Sequence, residues 1–288
     1  MKILVVGASG LVGGHVMKCF SKKGYEVIGT HFSYPTENTV YYDSLNLENS
    51  ENFDVQRFQP DVIVHCGALT HVDYAEEHEM ESFDKTVKST QNLLELAQRH
   101  QSLFVFLSTD YVFNGHLGPY TEPATPRPLN VYGEHKLIAE RFIINNWDQH
   151  LILRVTNVYG EEHRGKNFIA RIAELARTDE EKILNLPVDQ FANPTYAGDI
   201  AKAIELLVAN KKYGIYHFGG MEYMNRVNLA NLVLDHYENT TVKVNAVETT
   251  SLNQAAMRPL RGGFVNMKFL KAFPDFRFMT VERFLNQS

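Results

Sequence analysis

Short apolar runs that alternate with amphipathic helical stretches predict an α/β fold, a doubly wound parallel sheet of Rossmann-like type with a smaller C-terminal substrate-binding lobe. Three observations carry that expectation. The chain opens on a β-branched run, Lys2 to Gly7, that stops at glycine and gives way to helical spacing through Leu11, Val12, Val16 and Phe20. The runs Asp61 to Cys66 and Leu103 to Leu107 are continuously apolar, as strands covered on both faces are. Between them, Phe83 to Arg99 carries Val87, Leu93, Leu94, Leu96 and Ala97 at the spacing of an amphipathic crossover helix.

The other elements fall into the same alternation. Glu26 to Thr30 reads as the second strand, and prolines at 119, 123, 126 and 128 mark a surface loop before a helix over Val131 to Asn145. Leu151 to Val155 is another strand. A helix near Asn167 to Arg177, a strand near Lys182 to Leu186, a helix at Gly198 to Ala209 and a strand at Ile215 to Phe218 follow. The segment beyond mixes one helix, one strand and irregular chain. The expected division gives residues 1–160 to the sheet-bearing domain, with 192–220 returning to it, and 161–191 and 221–288 to the smaller lobe.

Composition narrows the function. The 288 residues are 44% hydrophobic and 22% charged, ordinary globular values that need no covalent staple. A formal net charge of −6 without a basic patch argues against nucleic acid as a partner. Cys19 and Cys66 both fall in segments read as buried helix and strand, which fits a reducing compartment. No apolar stretch approaches the roughly 20 residues of a membrane helix, so the expectation is a cytoplasmic protein with no membrane partner. The twelve histidines include no His-Glu-x-x-His, so no metal is expected, and His65, inside an apolar run, reads as a satisfied core residue.

Two motifs carry chemistry. Gly7-Ala8-Ser9-Gly10-Leu11-Val12-Gly13 has the spacing G-x-x-G-x-x-G where a strand turns into a helix. Glycines allow the tight turn and bring backbone amides close to a pyrophosphate at the positive end of the helix. Tyr132 and Lys136 stand four apart on a helix, hence on one face. A phenol with a pKa near 10 becomes a useful proton donor or base when an ammonium beside it favours its ionised form. With fourteen tyrosines in the chain the spacing alone is a weak signal. Its place in the order strengthens it: Ser108-Thr109-Asp110-Tyr111-Val112-Phe113 ends the preceding strand, and strand ends face the ligand crevice in open α/β sheets. Thr109 can then meet Tyr132 over one substrate carbonyl.

With these pieces in place the chain resembles the extended short-chain dehydrogenase/reductases and, within them, the dTDP-4-dehydrorhamnose reductase family. The likeness rests on Ser-Thr-Asp-Tyr-Val-Phe at 108–113, Pro-Leu-Asn-Val-Tyr-Gly at 128–133, Asp-Gln-Phe-Ala-Asn-Pro-Thr-Tyr-Ala-Gly-Asp at 189–199, and Arg258-Pro259. The resemblance implies Thr109, Tyr132 and Lys136 as the catalytic set. It also implies a cofactor site at Gly7, Gly10, Leu11, Val12 and Gly13 and the Gly67-Ala68-Leu69 turn, with Tyr132 and Lys136 reaching the same cofactor. Substrate contacts are expected from Thr109, Asp110, Asn157, Asn167, Gln190 and Arg258, of which arginine suits a phosphate through its planar fork.

The chain also departs from the family's pattern. Thr86 stands where relatives usually carry an Asn that can relay protons, Asn157 replaces a Trp of the sugar pocket, and Leu260-Arg261-Gly262-Gly263 follows Arg258-Pro259 in place of Asn-Ser. His31 ends the second strand where an acidic residue would hold the ribose of NAD, so His31 and Ser33 are free to donate to a 2′-phosphate. NADP(H) is therefore favoured, with NAD(H) as the alternative. The expected function is reduction of a nucleotide-linked 4-keto-6-deoxy sugar, the sugar nucleotide being the small-molecule partner. Three alternatives stay open. An epimerase could use the same three residues, a dehydratase is disfavoured because Tyr111 follows Asp110, and a regulatory subunit is permitted by a resemblance to those of methionine adenosyltransferase. A homodimer is compatible with the sequence.

Overall fold

The computed structural model describes residues 1–48, 53–162, 164–178 and 180–287. Its centre is a parallel sheet of β1 (Lys2–Val6), β2 (Glu26–His31), β3 (Thr39–Tyr41), β4 (Val62–His65), β5 (Leu103–Thr109), β6 (His150–Val155) and β7 (Gly214–Phe218), in the order β7-β6-β5-β4-β1-β2-β3. Side chains alternate between its faces. Leu4, Val6, Ile63, Phe104, Phe106 and Ile152 pack on one side with Leu93, Leu94, Ala139 and Ile143. Ile3, Val5, Val64, Val105 and Leu153 pack on the other with Val16, Phe20, Ile200 and Leu207. Burial on both faces is why these strands read as unbroken apolar runs.

The helices that cover the sheet are α1 (Leu11–Lys22), α2 (Ser89–His100), α3 (Val131–Asn146) and, later, α5 (Ala197–Ala209), while α4 (Phe168–Ala176) and α6 (Arg226–Leu234) belong to a second cluster. That cluster gathers Tyr159, Ile172, Leu229, Val233 and Phe284 beside a parallel strand pair, Lys182–Pro187 with Val242–Val247. Strand order reverses between β1 and β4, which opens a crevice at the carboxyl ends of the strands. Gly7, Gly67 and Thr109 lie at or just beyond those ends.

Several elements differ from expectation, each for a local reason. The crossover helix begins earlier, as Glu79–Phe83, and passes through one π turn over Asp84–Lys88 before α2. Thr86 lies in that turn, its hydroxyl buried. Cys66 sits one residue beyond β4 and is only partly buried, and both cysteines are free. The proline-marked segment is not all surface, since Tyr120 stacks on Phe113 at 4.2 Å between centroids and packs with Phe264 in a small core. Residues 267–278, expected in the smaller lobe, return to the sheet instead, where Phe269, Phe273, Phe276 and Phe278 join the face of Ile3, Val5 and Val64. Among the described residues no helix is long and apolar enough to cross a membrane, and no group of His, Cys, Asp or Glu could hold a metal ion.

Candidate active site

The first turn is shaped by backbone crowding. Gly7 takes a φ of 81°, and a Cβ on Gly13 would lie 2.2 Å from the Gly7 carbonyl, so neither position accepts a side chain. A Cβ on Gly7 would also meet the Gly67 amide nitrogen at 2.8 Å, which places the Gly67-Ala68-Leu69 turn directly against the first one. Gly10 caps α1 without a side-chain hydrogen bond, and no acidic residue stands in the first turn. The leading amides at Leu11 and Val12 thus have no intrahelical acceptor. This positive helix end fits a dinucleotide pyrophosphate, with the Leu11 and Val12 amides able to donate, while the Gly10 amide is bonded to the Gly7 carbonyl at 3.1 Å. At the end of β2, His31 Nδ1 is tied to Thr39 Oγ1 at 2.9 Å, which leaves Nε2 for a ligand, and Ser33 is exposed.

The second part of the site forms where α3 meets the end of β5. Asn130 caps α3, its Oδ1 accepting from the Gly133 amide at 2.9 Å, and its Nδ2 donates to the Met257 carbonyl at 2.7 Å. Gly133 lets the helix approach, because a Cβ there would stand 2.2 Å from the Tyr111 carbonyl. Tyr132 is thereby brought into hydrogen-bonding reach of Thr109, and its ring lies 5.7 Å from that of Tyr111. Thr109 Oγ1 also accepts from the Tyr111 amide at 3.2 Å. Thr109 and Tyr132 are thereby brought together, and Lys136 stands one turn further along α3.

Lys136 does not act on Tyr132 in the way anticipated. Its Nζ turns to the sheet, donating to the Leu107 carbonyl at 2.8 Å and lying 4.5 Å from the centre of the Phe106 ring. Burial lowers its pKa to about 8. The Tyr132 phenol is pushed well above its ordinary value by burial, and the opposing influence is the Thr109 hydrogen bond rather than the ammonium. His65 also differs from expectation: it is fully buried, burial and then Lys136 depress its pKa to about 3, and neither ring nitrogen has a protein partner.

Beneath the site α3 is pinned by a buried ion pair. Arg154 Nε and Nη2 donate to the two carboxylate oxygens of Glu140 at 2.9 and 2.6 Å. Arg154 Nη1 lies 3.1 Å from His217 Nε2, which must accept, so the ring proton sits on Nδ1 and is donated to the Tyr120 carbonyl at 3.0 Å.

On the substrate side, most of the expected polar residues are committed to the protein. Asp110 Oδ2 accepts from Thr156 Oγ1 at 2.6 Å and from the Gly263 amide at 3.0 Å, and burial raises its pKa against those bonds. Asn167 caps α4 and donates to Gly160 O and Glu162 Oε1, each at 2.9 Å. Gln190 Nε2 donates to Thr249 Oγ1 at 3.1 Å. Arg258 pairs with Asp73 at 2.6 Å and donates to the Ala256 carbonyl at 3.0 Å. Asn157, at a φ of 42°, accepts from Arg226 Nη2 at 2.6 Å.

Three participants escaped the sequence reading: Thr156 and Gly263, which hold Asp110, and Arg226. Only Arg226 left a signal, as a cation in the first turn of a helix, the electrostatically unfavourable end.

The chain matches the model of the family described as RmlD substrate binding domain over residues 1–282. It is 33% identical over 289 residues to the dTDP-4-dehydrorhamnose reductase of Aggregatibacter actinomycetemcomitans, covering 94% of this chain and 93% of that protein. It is 31% identical over 243 residues to methionine adenosyltransferase 2 subunit beta of Xenopus laevis, covering 82% of this chain and 72% of that one. A crystal structure of dTDP-4-dehydrorhamnose reductase from Bacillus anthracis in complex with NADP superposes with a TM-score of 0.86 at 26% identity, over 99% of this chain and 97% of that one. Given a family model that spans nearly the whole chain and a reductase relative that matches almost end to end, the chain belongs to the RmlD family, that of the dTDP-4-dehydrorhamnose reductases.

Proposed function

We propose that this protein is an NAD(P)H-dependent oxidoreductase of the short-chain dehydrogenase/reductase type that reduces the keto group of a nucleotide-linked 4-keto-6-deoxy sugar. The observation that carries the reading is the meeting of Thr109 and Tyr132 at the strand end beside the bare glycine turn. Gly10 to Val12 would hold the cofactor's pyrophosphate, and the Gly67-Ala68-Leu69 turn would flank it. The bound nicotinamide supplies the hydride. Tyr132 gives its hydroxyl proton to the ketone oxygen while Thr109 holds that oxygen in place. A phenol kept neutral by burial is in the right state to donate, and Lys136, anchored on Leu107, fixes the face of α3 from which it does so. The absence of a carboxylate at His31 supports NADPH over NADH.

A second reading, a cofactor-binding regulatory subunit without turnover, is favoured by the likeness to methionine adenosyltransferase 2 subunit beta. One experiment separates the two. A panel of nucleotide-linked 4-keto sugars would be offered with NADPH and with NADH, and loss of nicotinamide absorbance followed for the parent and Tyr132→Phe. The expected outcome is turnover by the parent, faster with NADPH, and a fall of about 10²- to 10⁴-fold in the variant with cofactor affinity and thermal midpoint near the parent's. Near-parental turnover in Tyr132→Phe would remove Tyr132 from the mechanism, and a parent inactive on the whole panel would favour the regulatory reading.

A further inference from the structure

Among the described residues, a cation near the crevice has no ion-pair partner. Arg226 opens α6, its guanidinium stands 4.8 Å from the centre of the Phe168 ring, and Asp110, Tyr111 and Arg258 are close enough to influence its charge. Its one side-chain hydrogen bond runs from Nη2 to Asn157 Oδ1, and among the described residues no carboxylate lies within ion-pair distance. Asp110 is no substitute, being already bonded to Thr156 and Gly263.

Apart from its hydrogen bond to Asn157 and its contact with the Phe168 ring, Arg226 stands in a costly place for a cation. A half-buried guanidinium without a carboxylate is held at a desolvation cost. The first turn of a helix presents positive amides, so a cation there is repelled. Arg258 adds a second positive group, yet Arg258 is matched by Asp73 and Arg226 is not. Asn157, the Phe168 ring and the charges of Asp110 and Tyr111 offset these costs only in part, and such violations concentrate where a ligand completes the structure.

We infer that Arg226 binds the diphosphate of the substrate, one edge of its guanidinium, the second Nη2 hydrogen with Nη1 or Nε, giving parallel hydrogen bonds to phosphate oxygens while the bond from Nη2 to Asn157 fixes its plane. The assignment rests on the nucleotide-sugar reading above. A diphosphate suits the place because Arg226 has no carboxylate partner and the arginine fork matches phosphate geometry.

The test is calorimetric, with NADP⁺ at saturation so that the glycine turn is filled. Parent, Arg226→Met and Arg226→Lys would be titrated with dTDP, UDP, thymidine, inorganic diphosphate and glucuronate, and their thermal midpoints measured. The expected result is that Arg226→Met binds dTDP or UDP about 10- to 100-fold more weakly. Thymidine and NADP⁺ binding should be unchanged, the thermal midpoint equal to or above the parent's, and Arg226→Lys intermediate. Equal affinity of parent and Met variant for every diphosphate overturns the proposal. So does a lowered midpoint with equal losses for dTDP and thymidine, which would mark a structural role, or dependence of glucuronate but not diphosphate on Arg226. Should the parent bind inorganic diphosphate through Arg226 as tightly as dTDP and UDP, Arg226 stands and the nucleotide-sugar reading fails.

Discussion

At the scale of single residues, Lys136 shows how burial changes what a motif does. Its pKa of about 8 in the fold lies below the ordinary lysine value of 10.5. The folded state therefore binds fewer protons than the unfolded state between those limits, so the contribution of Lys136 to stability grows as pH rises from about 8 to 10.5 and is lost as pH falls through 8. Urea midpoints measured at steps across that window should climb in the parent relative to Lys136→Met. Parallel curves would show that the ammonium is not desolvated as its contacts with Leu107 and Phe106 imply. Tyr132 and Lys136 were legible from spacing and order, but their electrostatic relation was not. Which carbonyl an ammonium reaches depends on the sheet beneath the helix, and that is a tertiary fact. Arg226 left only its place in the first turn of a helix as a signal, because its lack of a carboxylate partner is visible only once Asn157 and Phe168 stand beside it.

At the scale of elements, α3, which bears Tyr132 and Lys136, is held by the pairing of its own Glu140 with Arg154 of β6. Both side chains are almost fully buried, so removing one leaves the other uncompensated. Glu140→Ala should cost about 3–5 kcal/mol of unfolding free energy, whereas Glu140→Leu combined with Arg154→Met should recover most of it, because an apolar pair desolvates nothing. Denaturant midpoints decide the matter, and equal losses in the single and double variants would count against the pair as α3's anchor. Elements whose burial is two-sided, such as β4 and β5, could be read from the sequence directly. The π turn at Asp84–Lys88 could not, since an added residue in a helix leaves the apolar pattern nearly intact. Nor could the return of Phe269 to the sheet, because a six-residue helix is too short to show a period.

At the scale of the whole molecule, the site is closed by chain drawn from both ends of the sequence. Gly263 takes a φ of 82°, and a Cβ there would come within 2.4 Å of Asn193 Oδ1, while its amide holds Asp110. Gly263→Ala should lower the thermal midpoint by disturbing a backbone that only glycine adopts readily, and lower turnover with it, while leaving cofactor affinity near the parent's. Unchanged turnover would show that the Asp110 contact is incidental to the site. The bond between Asp110 and Gly263 also has a consequence for synthesis. A nascent chain that has emerged as far as β7 possesses all seven strands of the sheet, yet its strand-end carboxylate is still without one of its two outside donors, and the Phe269 cluster is not yet made. The ribosome thus delivers the scaffold well before the working centre, and a chain released early would carry the glycine turn without the closure that gives Thr109 and Tyr132 their setting.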